Sequence, residues 1–164
     1  MATYLGSASV DDYKLGSSQV DKVYLGTTLV WEKPATLSVA MPDVTDYNEA
    51  SSGTALAGVT LSSSGTFTTN GGLGSGPNSG SWLTGGSAAD VEVYATYTGG
   101  SGGTWATTGW STWLPMSSGF YARLSRTTNG TSSGTVSLTF RNKNTLATLD
   151  TATLSLSVYR GVLM

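Results

Sequence analysis

The stretch "TVSLTFRNKNTLATLDTATLSLSVY", Thr135 to Tyr159, decides the fold class. Val136, Leu138 and Phe140 alternate with Ser137 and Thr139, and Ala152, Leu154, Leu156 and Val158 alternate with Thr153, Ser155 and Ser157. A period of two puts one set of side chains on a buried face and the other in water, which is the mark of a half-buried β-strand. Between the runs "RNKNT" supplies turn residues. Leu146 and Leu149 differ in parity, so a bulge or bend is expected near them. "VEVYATY" follows the same rule, with Val91, Val93, Ala95 and Tyr97 on one face and Glu92, Tyr94 and Thr96 on the other.

Weaker strand candidates are "TLSVAM", "ALAGVTL", "GTFTT", "GWSTWLP" and "GFYARLS". No helix is expected. Seven or more short antiparallel strands fit an immunoglobulin-like β-sandwich, with a small jelly roll as the alternative. "NGGLGSGPNSGSW" (Asn70 to Trp82) and "TGGSGGTW" (Thr98 to Trp105) read as loops. Asn129-Gly130-Thr131 matches a glycosylation acceptor, but Asn-Gly is also the strongest two-residue hairpin turn, and the turn is preferred.

Composition agrees. Charged residues are 11% of the 164 residues, against about 25% in an average domain, and 22 glycines are about twice the usual share. Thr, Ser, Val and aromatic residues dominate, which favours strands over helices. A net charge of -2 leaves no basic footprint for nucleic acid or an anionic membrane surface. No apolar run is long enough for a membrane span, and "MATYLGSASV" has no charged region followed by an apolar one, so a secretory signal is not expected.

The N-terminal region is organised differently. In "YLGSASVDDYKLGSSQVDKVYLGTTLVW", Tyr4 to Trp31, Leu5-Gly6-Ser7, Leu15-Gly16-Ser17 and Leu25-Gly26-Thr27 recur every ten residues, as do Val10, Val20 and Val30. Val23-Tyr24-Leu25 and Leu29-Val30-Trp31 around Gly26-Thr27-Thr28 read as a hairpin with a three-residue turn. The glycine in each unit marks a position of positive φ. Units this small cannot bury their own apolar face and need neighbours, sister chains or another surface. A plain β-meander belonging to the main domain is the competing reading. Pro34 marks the boundary, giving a repeat region over 1–33 and a sandwich over 34–164.

Chemistry is sparse. Histidine and cysteine are absent, which removes Ser-His-Asp and Cys-His machinery and the usual zinc and iron sites. No catalytic residue, metal or cofactor is assigned, and the chain is not expected to be an enzyme. Asp43, Asp46 and Glu49 in "PDVTDYNE" could offer oxygens to Ca²⁺, although a solvated loop with an Asx turn is preferred. Asp90 and Glu92 share a strand face, and a glycosidase acting through a carboxylate pair stays as a third hypothesis. Trp105, Trp110 and Trp113, together with Trp82 and Tyr121, could form a sugar-binding surface. The alternative makes one or two of them core tryptophans.

The Tyr4 to Trp31 stretch, closing on Tyr-Leu-Gly-x-x-x-Val-Trp at Tyr24 to Trp31, resembles the N-terminal Leu-Gly-Ser/Thr repeats of accessory structural proteins of tailed bacteriophages. The first repeat departs from the others, with Asp11-Asp12 where later copies have Asp21-Lys22 and Trp31-Glu32. The resemblance implies a non-enzymatic protein on the virion surface: a capsid decoration, head fibre or short tail-associated fibre. Leu5, Leu15, Tyr24, Leu25, Val30 and Trp31 are then the anchoring or oligomerising contacts. Its partners would be other capsid or tail proteins and sister copies, a trimer among the options. A cell-surface glycan is the partner under the alternative reading, a host-adsorption module using Trp105 to Trp113.

Overall fold

A computed structural model describes residues 4–5, 8–9, 13–15, 17–20, 22–32, 36–70 and 78–161. The chain divides into two units, Met1–Thr36 and Leu37–Met164.

Within the first unit each repeat forms a two-stranded antiparallel hairpin. β1 (Tyr4–Leu5) pairs with β2 (Ala8–Ser9), β3 (Tyr13–Leu15) with β4 (Ser18–Val20), and β5 (Lys22–Leu25) with β6 (Thr28–Glu32). Gly26 has φ +64°, as its place in a tight turn requires. The third turn is shorter than expected. Leu25 stands opposite Thr28, so the β-branched Thr28 joins the ladder and only Gly26 and Thr27 remain in the turn. Val23 faces Trp31 and Tyr24 faces Leu29, which makes Val30 a bulged residue.

The second unit is a β-sandwich. Its strands are β7 (Ser38–Val39), β8 (Val44–Ala50), β9 (Ala55–Leu61), β10 (Thr66–Thr69), β11 (Ser79–Ser81), β12 (Leu83–Thr84), β13 (Val91–Gly99), β14 (Thr104–Thr107), β15 (Trp113–Pro115), β16 (Phe120–Arg126), β17 (Gly130–Asn142) and β18 (Thr148–Arg160). One five-stranded sheet runs β11-β10-β9-β16-β14, the other β15-β13-β17-β18-β8, and β12 pairs with β7. The β9–β16 and β13–β17–β18 pairings repeat the B–E and C–F–G pairings of an immunoglobulin sandwich. Two short 3₁₀ turns, Ala88–Asp90 and Met116–Ser118, are the helical elements among the described residues. No helix there is long and apolar enough to cross a membrane.

The alternating runs build the core as expected. Val91, Val93, Ala95, Val136, Leu138, Phe140, Ala152, Leu154, Leu156 and Val158 are all buried, facing Ala55, Ala57, Val59, Leu61, Phe120, Ala122 and Leu124 of the other sheet. Tyr97 keeps the parity but stands exposed at the strand end. The expected irregularity is present: Phe140 pairs with Asp150 and Arg141 with Thr148, leaving Leu149 as the extra residue, and Leu146 sits at φ +60°.

Three expectations give way. The sandwich is not wholly antiparallel, because β8 runs parallel to β18 from Val44 opposite Leu154 to Ala50 opposite Arg160. A parallel pair needs a long connection, and here most of the domain lies between the two strands. "PDVTDYNE" is largely this strand rather than a solvated loop. Asn129-Gly130 does not turn a hairpin either, since β16 and β17 belong to different sheets. The Arg126 guanidinium organises that crossing, donating to the carbonyls of Gly102, Thr128, Asn129 and Thr131 and to Ser132 Oγ. Arg160 donates to Asn129 Oδ1.

Candidate functional site

In the hairpin unit, Leu15 and Leu25 occupy the same place in successive repeats, last in the first strand before the turn. They are 79% and 76% exposed. Tyr24, Leu29 and Val30 are also exposed, so the third hairpin carries a run of apolar surface. Trp31 differs, being buried to 6% exposure. The side chain of Leu5 lies outside the described residues.

The four tryptophans of the second unit and Tyr121 go to four places. Trp82 is a core tryptophan, 1% exposed, stacked on Phe140 at 5.8 Å and donating from Nε1 to the Ser62 carbonyl. Trp105 and Trp110 both pack on Tyr97, with centroids 5.0 Å and 3.7 Å away. Trp105 also donates from Nε1 to the Gly99 carbonyl at 3.2 Å. Trp113 lies instead beside Tyr94, at 5.4 Å, under the Arg141 guanidinium at 3.8 Å. Tyr121 is on the other sheet, with Arg123 4.7 Å over its ring.

Trp105, Trp110 and Trp113 therefore do not share a surface. Tyr94 and Tyr97 point to opposite faces of β13, and the chain between Trp110 and Trp113 turns through Ser111 at φ 52°. Sequence reading missed Tyr94, Tyr97 and Arg141 as members of these clusters. The parity of "VEVYATY" already separated the two tyrosines; the partners across the sheet were not legible.

Glycine makes room for the inner cluster. A Cβ on Gly134 would lie 2.5 Å from Trp105 Cζ2 and 2.8 Å from the Thr98 carbonyl oxygen. Because the second contact is to backbone, Gly134→Ala should destabilise the sandwich by about 2 kcal/mol. Thermal unfolding followed by tryptophan fluorescence checks this, and an unchanged Tm would refute it.

No family model, curated protein or solved structure matches the chain. Its chemistry has to be read from its own side chains.

The three acidic residues considered for Ca²⁺ are each committed elsewhere. Asp43 Oδ1 accepts from the Thr153 amide at 2.8 Å, Asp46 Oδ2 from the buried Gly58 amide at 2.7 Å, and Glu49 from the Tyr47 hydroxyl at 3.4 Å. Partial desolvation, reinforced by the charge of Glu49, raises the Tyr47 phenol above its ordinary value. Among the described residues no group of three or more acidic side chains could hold a metal ion. Asp90 and Glu92 are also separated: Asn144 donates to Asp90, while Glu92 Oε2 takes both Nε and a terminal nitrogen of Arg141 at 2.9 and 2.8 Å.

Two shallow grooves lie among the described residues. One, of about 360 Å³, lies along Thr60, Ser62, Thr108, Ser118 and Tyr121 on the first sheet. The other, of about 320 Å³, lies on the outer face of the second sheet over Gly99 and Gly134.

Proposed function

We propose that this chain is a non-enzymatic structural protein of a tailed-phage particle, anchored by its hairpin repeats and displaying its sandwich at the particle surface. The observation that carries the reading is the repeated exposed leucine at Leu15 and Leu25, followed in the last hairpin by Tyr24, Leu29 and Val30. Burying one leucine is worth about 1.5–3 kcal/mol, so a surface that covered both would gain a contact the hairpins cannot make for themselves. Repetition within a chain, multiplied by copies in a symmetric oligomer, turns modest contacts into firm attachment. A trimer of full-length chains is the expected assembly, with capsid or tail proteins as the surface they meet.

The test is incorporation. Leu15→Asp combined with Leu25→Asp should weaken association with the particle at least about a hundredfold, read by co-sedimentation of chain with particles. Both side chains are already exposed, so the sandwich should unfold at an unchanged temperature. Undiminished incorporation of the double variant would end the anchoring proposal.

Carbohydrate binding is the second reading. The half-exposed Trp113 and Tyr94, on the same sheet face as an uncharged hydroxyl groove, favour it.

A further inference from the structure

The outer face of β8-β18-β17-β13-β15 has an unusual chemistry for solvated sheet surface. From Thr96 to Thr98, Ser133 to Thr139 and Thr151 to Ser157, every outward side chain is Thr or Ser. Lys and Glu, the ordinary occupants of exposed positions, are missing from this band. The register aligns the hydroxyls across strands. Thr45 stands opposite Ser155, Ser155 opposite Thr135, and Thr135 opposite Thr98. With strands about 4.8 Å apart, this row of four spans about 14 Å. In the next row Ser133 and Ser157 share a hydrogen bond at 2.7 Å.

Two further features exceed what solubility asks. A groove of about 320 Å³ runs among those rows, with the backbone of the cross-strand pair Gly99 and Gly134 in its lining. Along β13, about 13 Å from Thr98, Tyr94 and Trp113 stand half-buried beside the Arg141–Glu92 pair.

We infer that this face is a binding site for a neutral oligosaccharide laid along β13 and β17, its hydroxyls in the Thr/Ser groove and one sugar ring against Trp113 and Tyr94. The inference rests on the carbohydrate reading, moved from the Trp105 to Trp113 segment onto the sheet. Hydroxyl side chains donate and accept, which matches a ligand whose polar groups do the same. The groove holds no Lys or Arg to balance the charge of a phosphate or carboxylate. A protein partner is disfavoured too, since interface cores are depleted in Ser and enriched in aromatic residues, Met and Arg. The half-exposed rings of Tyr94 and Trp113, the latter with Arg141 3.8 Å over one face, supply the apolar contact that gives such sites their orientation.

The experiment titrates the ¹⁵N-labelled full chain with maltohexaose, cellohexaose and chitohexaose, with a heparin hexasaccharide as charged control. At least one neutral probe should shift the amides of Thr98, Thr135 and Ser155 and the Trp113 indole N–H. Thr135→Arg should weaken that binding at least about tenfold. Ser155→Val, a milder change on the same row, should weaken it in the same direction, and Trp110→Ala should leave it unchanged. Shifts confined to Trp105 and Trp110 would overturn the sheet-face site while leaving carbohydrate binding intact. No shift with any neutral probe would overturn both, and tighter binding of heparin would overturn the neutral class of ligand.

Discussion

Trp82→Ala is expected to cost about 3–5 kcal/mol, a large part of the stability of a domain this size. Three losses coincide at this residue. The indole is 1% exposed, so its removal leaves a cavity rather than a dent. Its stacking on Phe140, 5.8 Å away and 18° from parallel, is lost from between the two sheets. The Ser62 carbonyl also loses the Nε1 donor, and Trp82 backbone groups bonded to Gly65 and Ala40 lose the side chain that fixes them in place. Trp82→Phe separates these effects, keeping much of the apolar volume while removing the donor. It should fall between wild type and alanine. Urea unfolding of the three proteins gives the comparison, and a loss under about 1.5 kcal/mol for the alanine variant would show that Trp82 is not the centre of this core.

The second large effect belongs to Asp46. Over Ala55–Gly58 the strand β9 has β16 on one side, while β10 begins pairing only at Val59. Leu56 and Gly58 would be left with unpaired backbone groups on the other side, and side chains supply the missing strand. Asp46 accepts from the Gly58 amide and Asn48 from the Leu56 amide, while Asn70 donates to the Leu56 carbonyl from its side chain and to the Gly58 carbonyl from its backbone. Asp46 is 3% exposed, so water cannot take its place at Gly58. Asp46→Ala should destabilise by about 3 kcal/mol, because a buried donor is stranded and a bond to a charged acceptor is lost. Asp46→Asn retains a carbonyl oxygen for the amide and should recover part of the loss. Hydrogen exchange at the Gly58 amide offers the local readout: unchanged protection in Asp46→Ala would rule out the edge-capping role.

This edge also shows where sequence reading reaches its limit. Strands whose buried face is apolar announce themselves, as "TVSLTF", "TLSLSV" and "VEVYA" do, because alternation needs no knowledge of partners. In "VTDYNEA" the buried face is Val44, Asp46, Asn48 and Ala50. Its polar members are satisfied by a strand ten residues on, and only that contact explains them. The parallel mate of the same strand lies at the far end of the sequence, beyond any local signal. The tryptophans failed for a related reason. Closeness in sequence placed Trp110 with Trp113, but the turn through Gly109 and Ser111 sends them to different tyrosines. In the hairpins the ten-residue period carried the strand pairs and the glycine turn, while the bulge at Val30 and the burial of Trp31 depend on packing that the repeat does not encode.

The parallel neighbours β8 and β18 have a mechanical consequence. Tension applied between the start of β8 and the end of β18 pulls the two strands along their own length in opposite directions. Seven register pairs, from Val44 and Leu154 to Ala50 and Arg160, then carry the load together instead of opening one after another. A domain tethered by what precedes β8 and tugged from beyond β18 would resist as a shear joint, and its edge strand would act as a clamp.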